Sequence, residues 1–232
     1  MIPTFNDASN SYLFKNLEVF SKIKDIEVVI SDGGSIDNTL SLCSRFGVTL
    51  IKGDSSSRAH RINAGIKAST SPMILLQHPR SFINLVGIEY LLKNIDNLGW
   101  GGFTHSFDYK HPILKFTSWY SNSIRGRIKG VLYLDHCIFL KRSMAESIGE
   151  LPCVDIFEDT ILSQRLFEEF GAPNILPYKV ITSAIRFKTN GIFKQSLVNQ
   201  FLKIKFHTGA NHLDMNRLYE KNTKLNSNYE ED

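Results

Sequence analysis

Ser31-Asp32-Gly33-Gly34-Ser35-Ile36-Asp37-Asn38-Thr39 follows the apolar run 26–30 and leads into a helix-like pattern. Two carboxylates therefore sit at the end of a buried strand, on a glycine turn at the mouth of a helix. Glycine lets a backbone approach a ligand closely, and Asp37 is placed to cap the helix that Asn38-Thr39-Leu40 begins. In open α/β sheets, ligands bind outside the carboxyl ends of the strands. Taken alone, the segment reads equally well as an ordinary strand–turn–helix corner, so the residues on either side decide.

Outward from this turn, strand-like and helix-like segments alternate. Residues 13–20 have a helical pattern, 26–31 that of a strand, 38–46 a helix, 48–52 a strand, 58–68 a helix, 73–77 a strand and 82–95 an apolar-periodic helix. Such alternation predicts βαβ units and a mainly parallel sheet. The second half reads as strands at 101–108, 131–140 and 179–187. Helices are expected at 113–124 and 159–170, and a basic amphipathic helix at 192–206. From Lys221 onward Asn, Lys and Glu dominate, which predicts a disordered tail over 221–232. No repeat or low-complexity linker divides the chain, and one domain is expected. The start is abrupt, with a strand ending at residue 3, which reads as a chain lacking a few upstream residues.

With 232 residues, 42% hydrophobic and 22% charged, the chain has an ordinary soluble composition. A net charge of +4 suits an anionic small molecule or a membrane surface and is too diffuse to indicate nucleic acid. Cys43, Cys137 and Cys153 are odd in number, with no CxxC pair, which reads as reduced thiols in a cytoplasmic protein. No uninterrupted apolar run is long enough to span a bilayer, and no secretory leader opens the chain.

Polar clusters recur at the strand ends. Asp7 follows Pro3-Thr4-Phe5-Asn6, and the Asp32/Asp37 turn comes next. Arg58 and Asn63 lie in Ser57-Arg58-Ala59-His60-Arg61-Ile62-Asn63-Ala64-Gly65, after the 48–52 strand. His78-Pro79-Arg80-Ser81 follows the 73–77 strand, and Asp135-His136 and Glu158-Asp159 complete the series. One or two such clusters would reflect solubility; six in register point to a crevice for a polar, phosphate-containing ligand.

In order and spacing these motifs resemble family-2 glycosyltransferases. The nearest likeness is to a small bacterial branch that carries Arg-Ala-x-Gln-x-Asn-x-Gly, His-Ala-Asp-Thr, Gly-Asp-Gln and Glu-Asp, then a Ser-x-Arg-Arg-Trp strand and a basic helix. The counterparts here are residues 58–65, 78–81, 134–136, Glu158-Asp159 and Ser183-Ala184-Ile185-Arg186-Phe187. The resemblance implies an α/β GT-A fold over residues 1–220. A donor-binding half would cover about 1–100, an acceptor half about 101–190, and a C-terminal helix about 190–207. It also implies an inverting enzyme that transfers a sugar from a nucleoside-diphosphate donor to an unidentified acceptor, lipid-linked or small. Asp7 and Asp32 would lie near base and ribose, and Arg58 near base or phosphates. Arg186 would reach a phosphate, or else stack on Phe187. Asn63 would shape the helix start, serving the donor site or acting only as a cap.

Inverting transfer needs a general base at the acceptor hydroxyl and stabilisation of the leaving diphosphate. By its match to the Glu-Asp element, Asp159 is the candidate base and Glu158 its support; the plain alternative is a helix N-terminus decorated with acids. Asp135 would face the sugar or acceptor. His136 would contact a phosphate or hydroxyl, or simply pack. The main departure from the family is Arg80, which stands where relatives hold the metal-ligating aspartate. A guanidinium cannot ligate Mg²⁺ or Mn²⁺ but can fork onto phosphate oxygens. Donor binding that depends weakly or not at all on divalent metal, with Arg80 doing part of the metal's work, is the expectation, with Mg²⁺ or Mn²⁺ left open. A nucleotide-sugar-binding protein that has lost transfer activity is the alternative. The 192–206 helix is expected to pack on the domain or to touch the inner face of a membrane. A dinucleotide-dependent dehydrogenase is disfavoured, because no G-x-G-x-x-G follows a strand.

Overall fold

The computed structural model describes residues 1–53, 57–223 and 225. Most of the expected tail, 221–232, therefore lies outside the described residues. The first half alternates as its apolar periodicity dictates: β1 (Ile2–Thr4), α1 (Ser11–Phe20), β2 (Val29–Asp32), α2 (Thr39–Cys43), β3 (Thr49–Lys52), α3 (Arg58–Ala68) and β4 (Met73–Leu76). It continues through β5 (Ser81–Ile83), α4 (Leu85–Lys93), β6 (Trp100–Phe107), α5 (Pro112–Tyr120), β7 (Ile138–Lys141) and α6 (Arg142–Ile148). The last elements are α7 (Glu158–Phe170), β8 (Asn174–Thr182), α8 (Ile185–Asn190), α9 (Ile192–His207) and α10 (His212–Glu220).

Strands β1-β2-β3 are parallel, with Ile30 between Ile2 and Leu50. The second sheet has the order β4-β7-β6-β8-β5 and is antiparallel except for the β6–β8 pair. Met1 joins the two sheets: its amine donates to the Leu75 carbonyl at 2.7 Å, and its carbonyl accepts from the Gln77 N–H at 3.0 Å. The parallel order expected from the alternation thus holds in the first half, and the second half is mixed.

Alternation along the strands divides the core between the two faces. Val29, Ile138 and Leu140 pack with Ile62, Trp100 and Leu166 on one side. Their neighbours Ile30 and Phe139 pack with Leu13, Ile88 and Phe103 on the other, as a period of two requires.

Three segments depart from the sequence expectation, each for a local reason. Asn84 caps a helix by accepting from the Gly87 N–H at 3.0 Å, so residues 81–83 are freed to pair as β5. Only Ile138–Lys141 of the expected 131–140 strand is extended, because Leu134–His136 coils into a 3₁₀ turn. Strand β8 covers 174–182; the Arg80 carbonyl still accepts the Ser183 N–H at 2.9 Å, and the chain turns away at Ala184, whose N–H donates to the Asp108 carboxylate at 2.9 Å. Arg186 consequently sits on the first turn of α8 and not at a strand end.

Strands β6 and β8 meet at a position only glycine can fill. A Cβ on Gly101 would lie 1.9 Å from the Asn174 carbonyl oxygen. Backbone cannot give way as a flexible side chain can, so Gly101→Ala is expected to cost about 3 kcal/mol. A denaturant melt checks this; a cost below about 0.5 kcal/mol would contradict the close approach.

Candidate active site

A cavity of about 200 Å³ opens where α3, the 3₁₀ turn, α7, α8 and α9 converge at the sheet edge. Arg58, Arg80, Asp135, Asp159 and Arg186, five of the residues singled out by sequence, line it.

Asp159 lies in the first turn of α7, which starts at Phe157 in the left-handed region (φ 66°). A bulky aromatic residue rarely adopts that conformation, and such outliers gather where a site is held in place. Here the turn directs Glu158 and Asp159 to different partners. Glu158 is fully buried and paired with the Arg58 Nε, behind the cavity. The Asp159 carboxylate accepts the Leu134 N–H at 2.9 Å, lies 3.7 Å from an Arg58 Nη and reaches the cavity wall. Burial lifts the Asp159 pKa to about 7, and the neighbouring Glu158 charge adds to the rise against the pull of Arg58. Burial works against the Arg58 charge, but Glu158 and Asp159 more than offset it and raise the Arg58 pKa.

Asp135 occupies the 3₁₀ turn, with one carboxylate oxygen 3.5 Å from the His105 Nε2. Burial opposes its charge, but His105, His136 and Arg125 outweigh it and hold the pKa at about 2. Burial in turn lowers both imidazoles, His136 to about 3, so an ionised Asp135 faces neutral rings at pH 7. Among the described residues neither His105 ring nitrogen nor the other Asp135 oxygen has a hydrogen-bond partner.

Cations dominate the rest of the lining. The Arg80 guanidinium pairs with Asp7 at 2.9 Å and donates to the Leu225 carbonyl at 2.6 Å. Arg186 donates to the Tyr219 carbonyl at 3.0 Å, pairs with Glu220 at 2.5 Å and lies over the Tyr219 ring. Two further cations went unnoticed in the sequence. Arg125, on the π-helical turns after α5, is stacked 3.4 Å over Tyr133, and Lys203 reaches in from α9 with its pKa lowered to about 8 by burial and then by Arg125. The stretches 109–134 and 170–213 contain no Asp or Glu, which was the available signal for both.

The remaining sequence candidates stand outside the cavity. The Asp32 carboxylate accepts from the Thr4 and Ser35 hydroxyls and from the Gly34 and Ser35 N–H groups, so it builds its own turn. Gly34 completes that turn at φ 89°. Asp37 accepts from the Thr39 and Ala8 N–H groups and thus ties the helix start to the loop after β1. Asp7 stands behind Arg80. Asn63 bonds the Leu151 backbone at both ends of its amide, as a strut between α3 and the loop before α7. His136 is fully buried: Nδ1–H donates to the Phe103 carbonyl, and Nε2 accepts from the Ser121 hydroxyl at 2.8 Å. With both nitrogens engaged, it packs the turn that carries Asp135.

Residues 1–144 match Glycosyl transferase family 2. The chain belongs to that family. No curated protein matches it in sequence. Among solved structures, the 1–349 portion of S. aureus TarS in complex with UDP is similar, at TM-score 0.63 and 14% identity over 95% of this chain and 69% of that one. A longer S. aureus TarS structure matches at 0.60 and 12% over 95% of this chain, which spans only 41% of its length. Glucosyl-3-phosphoglycerate synthase from Mycobacterium tuberculosis, in complex with Mn²⁺, UDP and glucosyl-3-phosphoglycerate, matches at 0.57 and 12% over 78% of this chain and 68% of that one. At such identities the likeness shows the fold, which is GT-A.

Arg80, which the resemblance sets at the metal-ligating position, is paired with Asp7. Among the described residues no group of three His, Cys, Asp or Glu side chains gathers that could by itself hold a metal ion. The residues present do not fit a divalent ion there.

Proposed function

We propose that the chain transfers a sugar from a nucleoside-diphosphate donor to an acceptor hydroxyl with inversion, using Asp159 as general base and arginines at the diphosphate. The observation that carries this reading is the placement of the Asp159 carboxyl, held by the Leu134 N–H and beside Arg58, in the same cavity as Arg80 and Arg186. A base is most effective when its pKa lies near the working pH. In the step, the acceptor oxygen bonds to the anomeric carbon from the face opposite the diphosphate. Its proton passes to Asp159, and the carbon–oxygen bond to the diphosphate breaks with its electron pair leaving on phosphate. Arg80 and Arg186 neutralise that charge, and Asp135, on the cavity wall, takes sugar or acceptor hydroxyls. The UDP in the TarS and synthase structures favours uridine donors as the first to test.

The pH dependence follows from the raised pKa. Only the ionised Asp159 can accept a proton, so kcat/KM, read as nucleoside diphosphate release, is expected to rise through about pH 7 and level off above it. Stability runs the other way. A carboxyl whose folded pKa lies above its unfolded value of about 3.9 stabilises the fold below that value and loses the contribution as pH climbs through 7. A rate that is flat between pH 5.5 and 8.5 would remove Asp159 from the role.

A further inference from the structure

Helix α9 is apolar on two faces. Val198, Leu202 and Phe206 pack inward against Ile156, Phe157 and Met215. Phe193, Leu197, Phe201 and Ile204, spaced by four, four and three residues, form a second stripe that faces outward, with Leu197 72% and Ile204 63% exposed. A contiguous exposed apolar stripe of this kind marks a surface that meets a partner or a membrane. Across the cavity, α5 presents the exposed pair Phe116 and Trp119, whose rings lie 5.6 Å apart. The two helices meet at their starts, where the His111 and Phe193 rings are 6.5 Å apart.

Charge narrows what the cover can be. Five cations and no carboxylate lie between Asp108 and Asp135, and six and none between Glu169 and Asp214. Exposed Lys194 and Lys205 flank the α9 stripe directly. A second copy of the chain would bring this positive face against its like, and the aliphatic side chains of Leu197 and Ile204 offer nothing to a nucleic-acid backbone. Apolar residues in a basic surround match the surface of an anionic bilayer, where acyl chains receive the stripe and headgroups the lysines. Among the described residues no helix is long and apolar enough to cross a membrane. We infer that α9 and the exposed aromatics of α5 dock the chain on anionic phospholipid, with the cavity mouth beside the interface. The inference rests on surface residues only and stands whether or not the cavity performs sugar transfer.

Sedimentation of the full chain with vesicles of equimolar phosphatidylcholine and phosphatidylglycerol tests it. Binding is expected to these vesicles but not to phosphatidylcholine alone, and to fall in high salt as surface electrostatics are screened. The double variant Leu197→Glu/Phe201→Glu should weaken it about tenfold. Both positions are exposed, so an unchanged thermal melt confirms that the variant is folded. Tryptophan fluorescence supplies a second readout. Trp100 is buried, so a blue shift on vesicle addition belongs to Trp119 and should vanish in Trp119→Phe. Absence of binding to the anionic vesicles overturns the inference. So does self-association in buffer that the double variant abolishes, because a second copy would then be the cover.

Discussion

Asp159→Asn is expected to lower turnover about a thousandfold while leaving donor affinity nearly unchanged. The amide keeps the shape and can still accept the Leu134 N–H that holds the side chain at 2.9 Å. What it loses is the capacity to take a proton from the acceptor. The rise in rate through about pH 7 should vanish with it, which a purely structural role for Asp159 would not produce. Glu158→Gln should behave differently. Glu158 is buried behind Arg58, away from the cavity, so its loss leaves Arg58 short of a counter-charge and shows first as lost stability. Nucleoside diphosphate release by Asp159→Asn above about a tenth of the wild-type rate would eliminate Asp159 as the base. Donor binding with no turnover in the wild-type chain would instead favour a protein that binds nucleotide sugars without transferring them.

What could be read ahead of the structure was whatever depends on neighbours in sequence. The strand–turn–helix at Asp32 needs only an apolar run, a glycine pair and a cap, and all three lie within a dozen residues. Arg58 opens a helix just after a loop, whereas Asp159 was reached only through the likeness of Glu158-Asp159 to the family's Glu-Asp element, since locally it reads as an acid at a helix start. His105, Arg125 and Lys203 were missed because they sit on three elements that meet only in the folded chain. His105 lies inside strand β6, where a lone histidine reads as core, and its place beside the Asp135 carboxylate on the cavity wall is set only by the fold. Arg186 was expected at a strand end, because the β-branched run of 180–182 hides where pairing stops; the Asp108 carboxylate sets that limit by accepting the Ala184 N–H. Asn63 and His136 have the right chemistry for ligands, but their bonding capacity is met by Leu151 in one case and by Phe103 and Ser121 in the other. Residue type predicts capacity, whereas availability depends on tertiary partners.

Arg186→Ala and Arg80→Ala should each weaken donor binding by about ten- to a hundredfold, the range expected for removing hydrogen bonds from a charged donor to phosphate. Calorimetric titration with UDP, GDP and dTDP sugars, each in Mn²⁺ and again in EDTA, should show the same wild-type affinity in both media. Arg186→Lys should recover only part of the loss, because an ammonium keeps the charge without the planar fork. The geometry adds a further expectation. Both guanidiniums already hold the C-terminal segment: Arg80 through the Leu225 carbonyl, and Arg186 through the Tyr219 carbonyl and the Glu220 carboxylate. A diphosphate offers the same kind of acceptor oxygens with more charge, so donor and segment compete for one set of N–H groups. Glu220→Gln removes the charged competitor and should tighten donor binding several-fold in the same titration, even though loss of a buried ion pair lowers the stability of the fold. Binding that appears only with Mn²⁺ would mean that a metal, and not the arginine pair, carries the diphosphate. Unchanged affinity in Arg186→Ala would remove that residue from the donor site and leave its contacts with Tyr219 and Glu220 as a clasp for α10 alone.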